Sequence, residues 1–482
     1  MSFALKQHEF VFNVFCPFIG IGVGALGMQD VRATVGSANA KFQVVGGIDA
    51  DAGAVANACR LLGAPISVMD LFTREQYEDF HGKPPPHGWR EVTPEDVRFA
   101  AGGHSVNVVM LSPPCKGFTT LITNAISESK RYRAMNALAL RGVWLCLEAF
   151  KDDLPEFFLF ECVPSILNRG RRFLDQVSGL FSAYGFAAAE TVHDCGPLGG
   201  LAQHRRRFLG VARNTAKVPN FLYQPRALPM KSLADVIGRL PPPSPLVHPL
   251  HGVSNLEWKT WSRLAMVEAG SDWKSVDRLR QANGVLADFA LSRRGSIADG
   301  LAPIADPRFN SGGNDYSQYG VMNWNASSGA IIAIRSPGQG VFSVADPRID
   351  QCRLNPTLEF DVVQRPPSQA PSFELPGPCD RITCVITAPD GTWHRPLTTL
   401  EAAALQAIFE PEHLDAFRLE AQSQAQCKEW IGNAIPRTAA RGMGEAIAKA
   451  LLMARTEQTQ VITDEPIWVR SAIAALQCSA VH

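Results

Sequence analysis

Apolar positions in the first two hundred residues come in short blocks separated by longer mixed stretches. Residues 11–16, 44–49, 66–69, 106–111 and 157–160 are runs rich in Val, Ile and Phe, the composition that a strand buried on both faces of a parallel sheet requires. Between them, residues 52–62, 134–150 and 172–184 carry apolar side chains at helical spacing. Two further strands are expected at 187–192 and 208–212. This βαβ rhythm predicts an α/β fold, a doubly wound and mostly parallel sheet.

From about Asn214 the pattern changes. Prolines cluster at Pro241, Pro242 and Pro243, and the alternation fades until about Arg395. The segment Ala305-Asp306-Pro307-Arg308 recurs as Ala345-Asp346-Pro347-Arg348, so equivalent turns of a β-rich unit are expected around it. Beyond it, Thr398 and Glu401 form a capping box opening a helix through Phe409. A last helix is expected at 438–452, and no motif stands out past Arg455. The expected domains are an α/β part over 1–213, an inserted irregular β-rich domain over 214–394, a part returning to the first domain over 395–455 and a tail over 456–482.

Charge and cysteine content narrow the classes. Lys and Arg number 46, as do Asp and Glu, so the net charge is zero, which argues against coating nucleic acid nonspecifically. The 11 cysteines include no Cys-x-x-Cys pair, so no metal site is expected, and free thiols in a reducing cytoplasm account for them. Residues 10–28 lack charged side chains, but Pro17 and Gly20, Gly22, Gly24 and Gly27 interrupt them. They suit a strand and loop better than a membrane span.

Chemistry gathers at the strand ends. The first strand ends in the loop Phe18-Ile19-Gly20-Ile21-Gly22, and later ones end in Asp49, Asp70, Cys115 and Glu161. An open α/β sheet binds ligands at that edge, and an adenosine-like ligand with Asp49 on its ribose hydroxyls is one reading. A nicotinamide cofactor is another, although Val23 breaks the full dinucleotide fingerprint, and each acid alone could be a helix cap. Cys115 follows Pro113 and Pro114, which hold it on a stiff loop. A thiol needs nearby positive charge to ionise at neutral pH, which the segment Gln203-His204-Arg205-Arg206-Arg207 could supply. Glu161 could donate a proton if its surroundings raise its pKa.

In this order the motifs resemble the DNA (cytosine-5)-methyltransferase family over most of the chain, including versions found in phages and prophages. The matching stretches are the Phe18 to Gly22 loop, Asp49, Asp70, Pro113-Pro114-Cys115, Glu161-Cys162-Val163, Gln203 to Arg207, Arg395-Pro396-Leu397-Thr398 and Gly432-Asn433-Ala434-Ile435-Pro436. The resemblance implies a Rossmann-like class I methyltransferase with S-adenosylmethionine as cofactor and double-stranded DNA as partner, the insertion being its target-recognition domain. By the same resemblance Cys115 attacks carbon 6 of a flipped-out cytosine, Glu161 engages the ring, and Arg205 supports the base. Phe18, Gly20, Gly22, Asp49, Asp70, Pro113 and Asn433 would hold the cofactor. Gln203, Arg207, Arg293 and Arg294 are the expected substrate contacts.

The sequence also departs from the family. Cys16 stands where an acid is usual, Val23 replaces a common glycine, and Lys116 and Thr119 flank the nucleophile unusually. Cys162 replaces an asparagine, which removes an amide expected to orient the loop. An RNA (tRNA) cytosine methyltransferase and a catalytically silent DNA-binding relative are the alternatives. A monomer in the bacterial or phage-infected cytoplasm, with a cognate restriction endonuclease as a further partner, completes the expectation.

Overall fold

A computed structural model of the chain describes residues 8–119, 126, 128–218, 222–272, 274–275, 319–333, 340–353, 360–362, 380–388, 390–457 and 467–469. They form two compact units, one drawn from Met1–Gly200, Arg205–Pro229 and Ala434–His482, the other from Leu201–His204 and Met230–Asn433.

The first unit is built on an eight-stranded sheet. Its strands are β1 (His8–Pro17), β2 (Arg32–Val35), β3 (Ala38–Asp49), β4 (Ile66–Val68), β5 (Val108–Leu111), β6 (Phe157–Cys162), β7 (Phe186–Asp194) and β8 (Arg206–Asn214). They lie in the order β2-β3-β1-β5-β6-β8-β7, with β4 also on β3. β4, β3, β1, β5 and β6 are mutually parallel, whereas β8 runs antiparallel to both β6 and β7. The α/β, mostly parallel expectation therefore holds.

Strand order reverses on either side of β1, because β3 lies on one side of it and β5 on the other. That reversal opens a crevice beyond the carboxyl ends of β1, β3 and β5. Since β8 is antiparallel, its first residues return to the same edge, so Arg205 and Arg207 arrive beside the end of β6.

The apolar blocks fold as their composition requires. Phe15, Val109, Leu111, Phe158, Phe160 and Phe208 are buried in one core with Val143 and Leu147 of the helix Lys130–Ala149. The uncharged stretch 10–28 is divided between β1, the glycine loop and α1 (Val23–Gln29). Among the described residues no helix is long and apolar enough to cross a membrane. Several elements escaped the sequence reading, among them α1, expected as loop, and the helices Arg74–His81 and Pro94–Ala100. β2 forms a hairpin with β3 across Gly36 and Ser37, where Gly36 has a left-handed φ of 59°. Helix Gln424–Asn433 is only weakly patterned.

The second unit is irregular and β-containing, with a four-stranded sheet and two small two-stranded ones. Strand Gly340–Asp346 pairs in parallel with Tyr319–Met322 and antiparallel with Trp393–Pro396. Trp258, Trp261 and Trp393 anchor one of its cores. Of the two echoed segments, 305–308 lies outside the described residues.

Residues 395–433 fall in this unit, whereas the sequence assigns them to the part returning to the first domain. A buried charge cluster gives the reason. The Arg395 guanidinium bonds Asp346 at 2.7 Å and Glu401 at 2.5 Å, all three being 0 % exposed. Burial alone would lower the Arg395 pKa, but the two carboxylates outweigh it and hold the side chain firmly cationic. The Thr398 and Glu401 capping box forms as expected, but its helix ends at Leu405 rather than Phe409. Ala407 there takes a left-handed φ of 53°, which a helix cannot continue through.

Candidate active site

The carboxyl edge of the first unit's sheet collects most of the expected residues. β1 ends at Pro17, and the chain then turns through positive φ at Phe18 (58°), Gly20 (56°) and Gly22 (84°) before α1 begins. Gly22 must be glycine for two reasons: a Cβ there would lie 3.2 Å from Ala58 of the helix Ala52–Leu62, and its φ disfavours L side chains. At Gly20 the same construction meets nothing within 4 Å, so the loop backbone borders open space.

Asp49 at the end of β3 braces this loop. Its carboxylate accepts from the Gly20 N–H at 2.8 Å and the Asp51 N–H at 3.0 Å. Burial raises its pKa, and these bonds pull in the opposite direction. Asp70, following β4, accepts from the Phe72 N–H at 3.0 Å. The Phe18 ring lies against helix Lys130–Ala149, where a Cβ on Gly142 would come within 2.5 Å of it. Ser112 donates to the Phe18 carbonyl at 3.0 Å, joining the end of β5 to the loop. Cys16 is buried, and burial alone pushes its thiol up to about 12. It is neutral at physiological pH and offers no charge where an acid was expected.

A tight turn sets the nucleophile. After the buried Pro113, Cys115 caps a short 3-10 turn, Lys116–Phe118, with the Phe118 N–H donating to its carbonyl at 3.0 Å. The segment after β6 locks this turn in place. Ser165 donates to the Phe118 carbonyl at 2.6 Å, and the Arg169 guanidinium donates to the Thr119 carbonyl.

Glu161 lies next to the end of β6, opposite Leu209 of β8. Two positions back on β8, Arg207 shares its face and forms a 2.9 Å ion pair with it. Burial raises the Glu161 pKa, and the cations Arg207 and Arg205 offset this only in part. Arg205 is 1 % exposed and donates to the Ala434 carbonyl at 3.1 Å. Its own N–H donates to Asp194, which also caps the turn at Cys195. Burial, with Arg207 nearby, lowers its pKa to about 9, which leaves it cationic at neutral pH.

The Cys115 pKa lies below the ordinary thiol value. The largest cause is a hydrogen bond from the Cys162 thiol, with Arg207 and the Val163 N–H assisting against burial and Glu161. Sequence reasoning treated Cys162 as a lost polar group; the structure makes it a partner of the nucleophile. Cys195, whose thiol burial pushes up to about 11, is a third cysteine near these charges. Its position at a strand-to-helix corner gave no signal in sequence.

Of the remaining expected residues, two belong to the second unit and two lie outside the described residues. Gln203 belongs to the second unit and is fully buried, its amide nitrogen donating to the Leu405 carbonyl and the Gln406 side chain, and its oxygen accepting from Ile331. Both polar atoms of this expected substrate contact are thus engaged inside the protein. Asn433 ends helix Gln424–Asn433 of the second unit with its side chain exposed. Arg293 and Arg294 lie outside the described residues. No group of three or more potential metal ligands occurs among the described residues.

The C-5 cytosine-specific DNA methylase family matches residues 73–449, more than three quarters of the chain. No curated protein matches. Among solved structures, a DNA modification methyltransferase encoded within an E. coli prophage is similar at 14 % identity, covering 92 % of this chain and 99 % of its own, with a TM-score of 0.50. An Entamoeba histolytica methyltransferase, EhMeth, shows 12 % identity, coverage of 93 % and 99 %, and a TM-score of 0.48. The S. pombe Dnmt2 methyltransferase shows 14 % identity, coverage of 92 % and 99 %, and a TM-score of 0.43. At 14 % identity the prophage structure speaks to fold alone, whereas the family match extends from the segment after Asp70, through Cys115 and Glu161, to the helix Arg437–Arg455. This chain is a member of the C-5 cytosine-specific DNA methylase family.

Proposed function

We propose that this protein methylates carbon 5 of cytosine in duplex DNA, using S-adenosylmethionine. The observation that carries the reading is the convergence of Cys115, Glu161, Arg205 and Arg207 on one sheet edge, beside a glycine loop braced by Asp49. The residues present fit the cofactor. A left-handed loop facing open space at Gly20, a carboxylate at the end of β3 and a ring at Phe18 form a cradle for a nucleoside. Phe18, Gly20, Gly22, Asp49, Asp70, Pro113 and Asn433 are the residues proposed to hold it. When bound, the cofactor supplies an electrophilic methyl group.

The chain's own residues account for the rest. Carbon 5 of cytosine is unreactive until a nucleophile adds to carbon 6. Cys115, its thiolate favoured by Cys162, Arg207 and the Val163 N–H, is the group that adds. Negative charge then builds on the ring. Glu161, whose pKa burial raises, donates toward the ring nitrogen and limits that charge. Arg205, fixed by Ala434 and Asp194, supports the base from a rigid position. After carbon 5 is methylated, loss of its proton and cleavage of the carbon–sulfur bond restore both the aromatic ring and the Cys115 thiolate.

A stacked cytosine is out of reach of this chemistry, and extruding it costs roughly a few kcal/mol. The proposed source of compensating phosphate and groove contacts is the second unit, including Arg293 and Arg294. Its size supports duplex DNA over RNA as the substrate. The test supplies labelled S-adenosylmethionine with mixed-sequence duplex DNA or with tRNA, beside a Cys115→Ser variant. Label on cytosine carbon 5 in one DNA sequence context, absent from the variant, supports the reading. Transfer to tRNA alone replaces the substrate, and binding without transfer to either abandons the reaction.

A further inference from the structure

We propose that Cys162 is a positioning residue for the nucleophile, its thiol donating a hydrogen bond to the Cys115 sulfur at the end of β6. The proposal rests on Cys115 being the attacking group and deepens that reading. Three features of the edge support it. Cys162 is the last residue of β6, is 1 % exposed, and sits in the core cluster against which Cys115 packs. Its strand is held on both sides, by β5 and by antiparallel β8, where it faces Phe208. The donor therefore stands on the rigid sheet, while the acceptor sits on the turn that follows Pro113 and Pro114.

The order of ionisation follows from the surroundings. Both sulfurs are near Glu161, which resists a second negative charge. Arg207 stabilises an ionised Cys115, whereas burial and the bond to Cys115 keep the Cys162 proton in place. The first proton thus leaves Cys115, and the retained S–H of Cys162 points to the resulting thiolate. A hydrogen bond to the charged form favours that form. The bond also restrains the sulfur on a turn whose later backbone carbonyls, at Phe118 and Thr119, are tied by Ser165 and Arg169.

The experiment reads the Cys115 thiol directly, without cofactor or DNA. The full-length protein is alkylated with iodoacetamide between about pH 5 and 10, and modification of the Cys115 peptide is followed by mass spectrometry. Cys162→Ala removes the donor, Cys162→Val removes it while filling more of the volume, and Cys162→Ser replaces it with a hydroxyl. The donor-free variants are expected to titrate at higher pH than the wild type and to react roughly tenfold more slowly at neutral pH, the size of effect for losing one hydrogen bond to a charged group. Cys162→Ser is expected to stay near the wild-type midpoint. If Cys162→Ala does not fold, as shown by loss of its thermal transition, Cys162→Val gives the same readout. An unchanged midpoint in a folded donor-free variant overturns the proposal. Methyl transfer measured on the same preparations separates the two claims: an inactive wild type with a clear shift defeats the reaction, and an active one without a shift defeats only the role of Cys162.

Discussion

Replacing Arg395 by methionine is the most quantitative perturbation that the second unit offers. Its guanidinium is wholly buried and donates to Asp346 at 3.1 and 2.7 Å, to Glu401 at 2.8 and 2.5 Å and to the Pro396 carbonyl at 3.1 Å. The two carboxylates do not lose equally. Asp346 keeps Arg348, bonded at 3.0 and 2.9 Å, whereas Glu401 keeps only the Thr398 N–H at 2.8 Å and a longer-range interaction with His251. Most of the cost therefore falls on Glu401, a fully buried carboxylate left without its ion pair. Removing one member of a buried pair costs about 3–5 kcal/mol, and that is the expected loss at neutral pH.

Changing Glu401 as well tests the assignment. Glu401→Gln keeps an oxygen for the capping box while removing the charge, so the double variant should recover at least about 1 kcal/mol over Arg395→Met alone. The pH dependence has a definite sign. In the wild type, Arg395 depresses the Glu401 pKa against burial, so this contribution is full above the unfolded-state carboxylate pKa and is lost as pH falls through the folded value. In Arg395→Met, burial raises the folded pKa instead. The penalty is then largest at neutral pH and shrinks as acid neutralises the group. Urea unfolding followed by the fluorescence of buried Trp258 and Trp261 reports on this unit. A double variant no more stable than Arg395→Met, or a penalty that grows toward acid pH, refutes this account of the cluster.

Other outcomes follow from the first unit. Gly142→Leu should displace the Phe18 ring, since even a Cβ would stand 2.5 Å from it, and weaken S-adenosylmethionine binding by tenfold or more on an order-of-magnitude basis, about 1.4 kcal/mol; unchanged affinity by calorimetry would remove Phe18 from the pocket. Gly27→Ala should destabilise the unit by about 1–3 kcal/mol, because its Cβ would lie 2.1 Å from the Arg437 carbonyl; thermal melting checks it. Methyl transfer should show a bell-shaped pH profile, because it needs Cys115 ionised, which the Cys162 bond favours, and Glu161 protonated, which burial favours. Glu161→Gln should remove the alkaline limb, and a retained limb would assign it to another group.

Much of the framework was legible because it depends on local pattern. β5 and β6 are continuous apolar runs, and only a strand buried on both faces uses such composition. The helix Ala52–Leu62 and the box at Thr398 follow from capping chemistry within a few residues. Cys115, Glu161 and Arg205 were readable as strand-end chemistry in a fixed order. Hidden from sequence were relations between residues far apart in the chain. No periodicity links Arg395 to Asp346, or Cys162 to Cys115, because each pairing arises where separate strands or loops are brought together. Gln203 stands two residues before Arg205, yet its amide is consumed inside the second unit, a burial that the motif does not encode. The sequence by itself thus determined the strands, their apolar faces and the reactive residue types at their ends. Tertiary structure alone decided which of those groups share a face, which are desolvated and which retain a free hydrogen-bonding position, because desolvation and pairing depend on atoms contributed by distant segments.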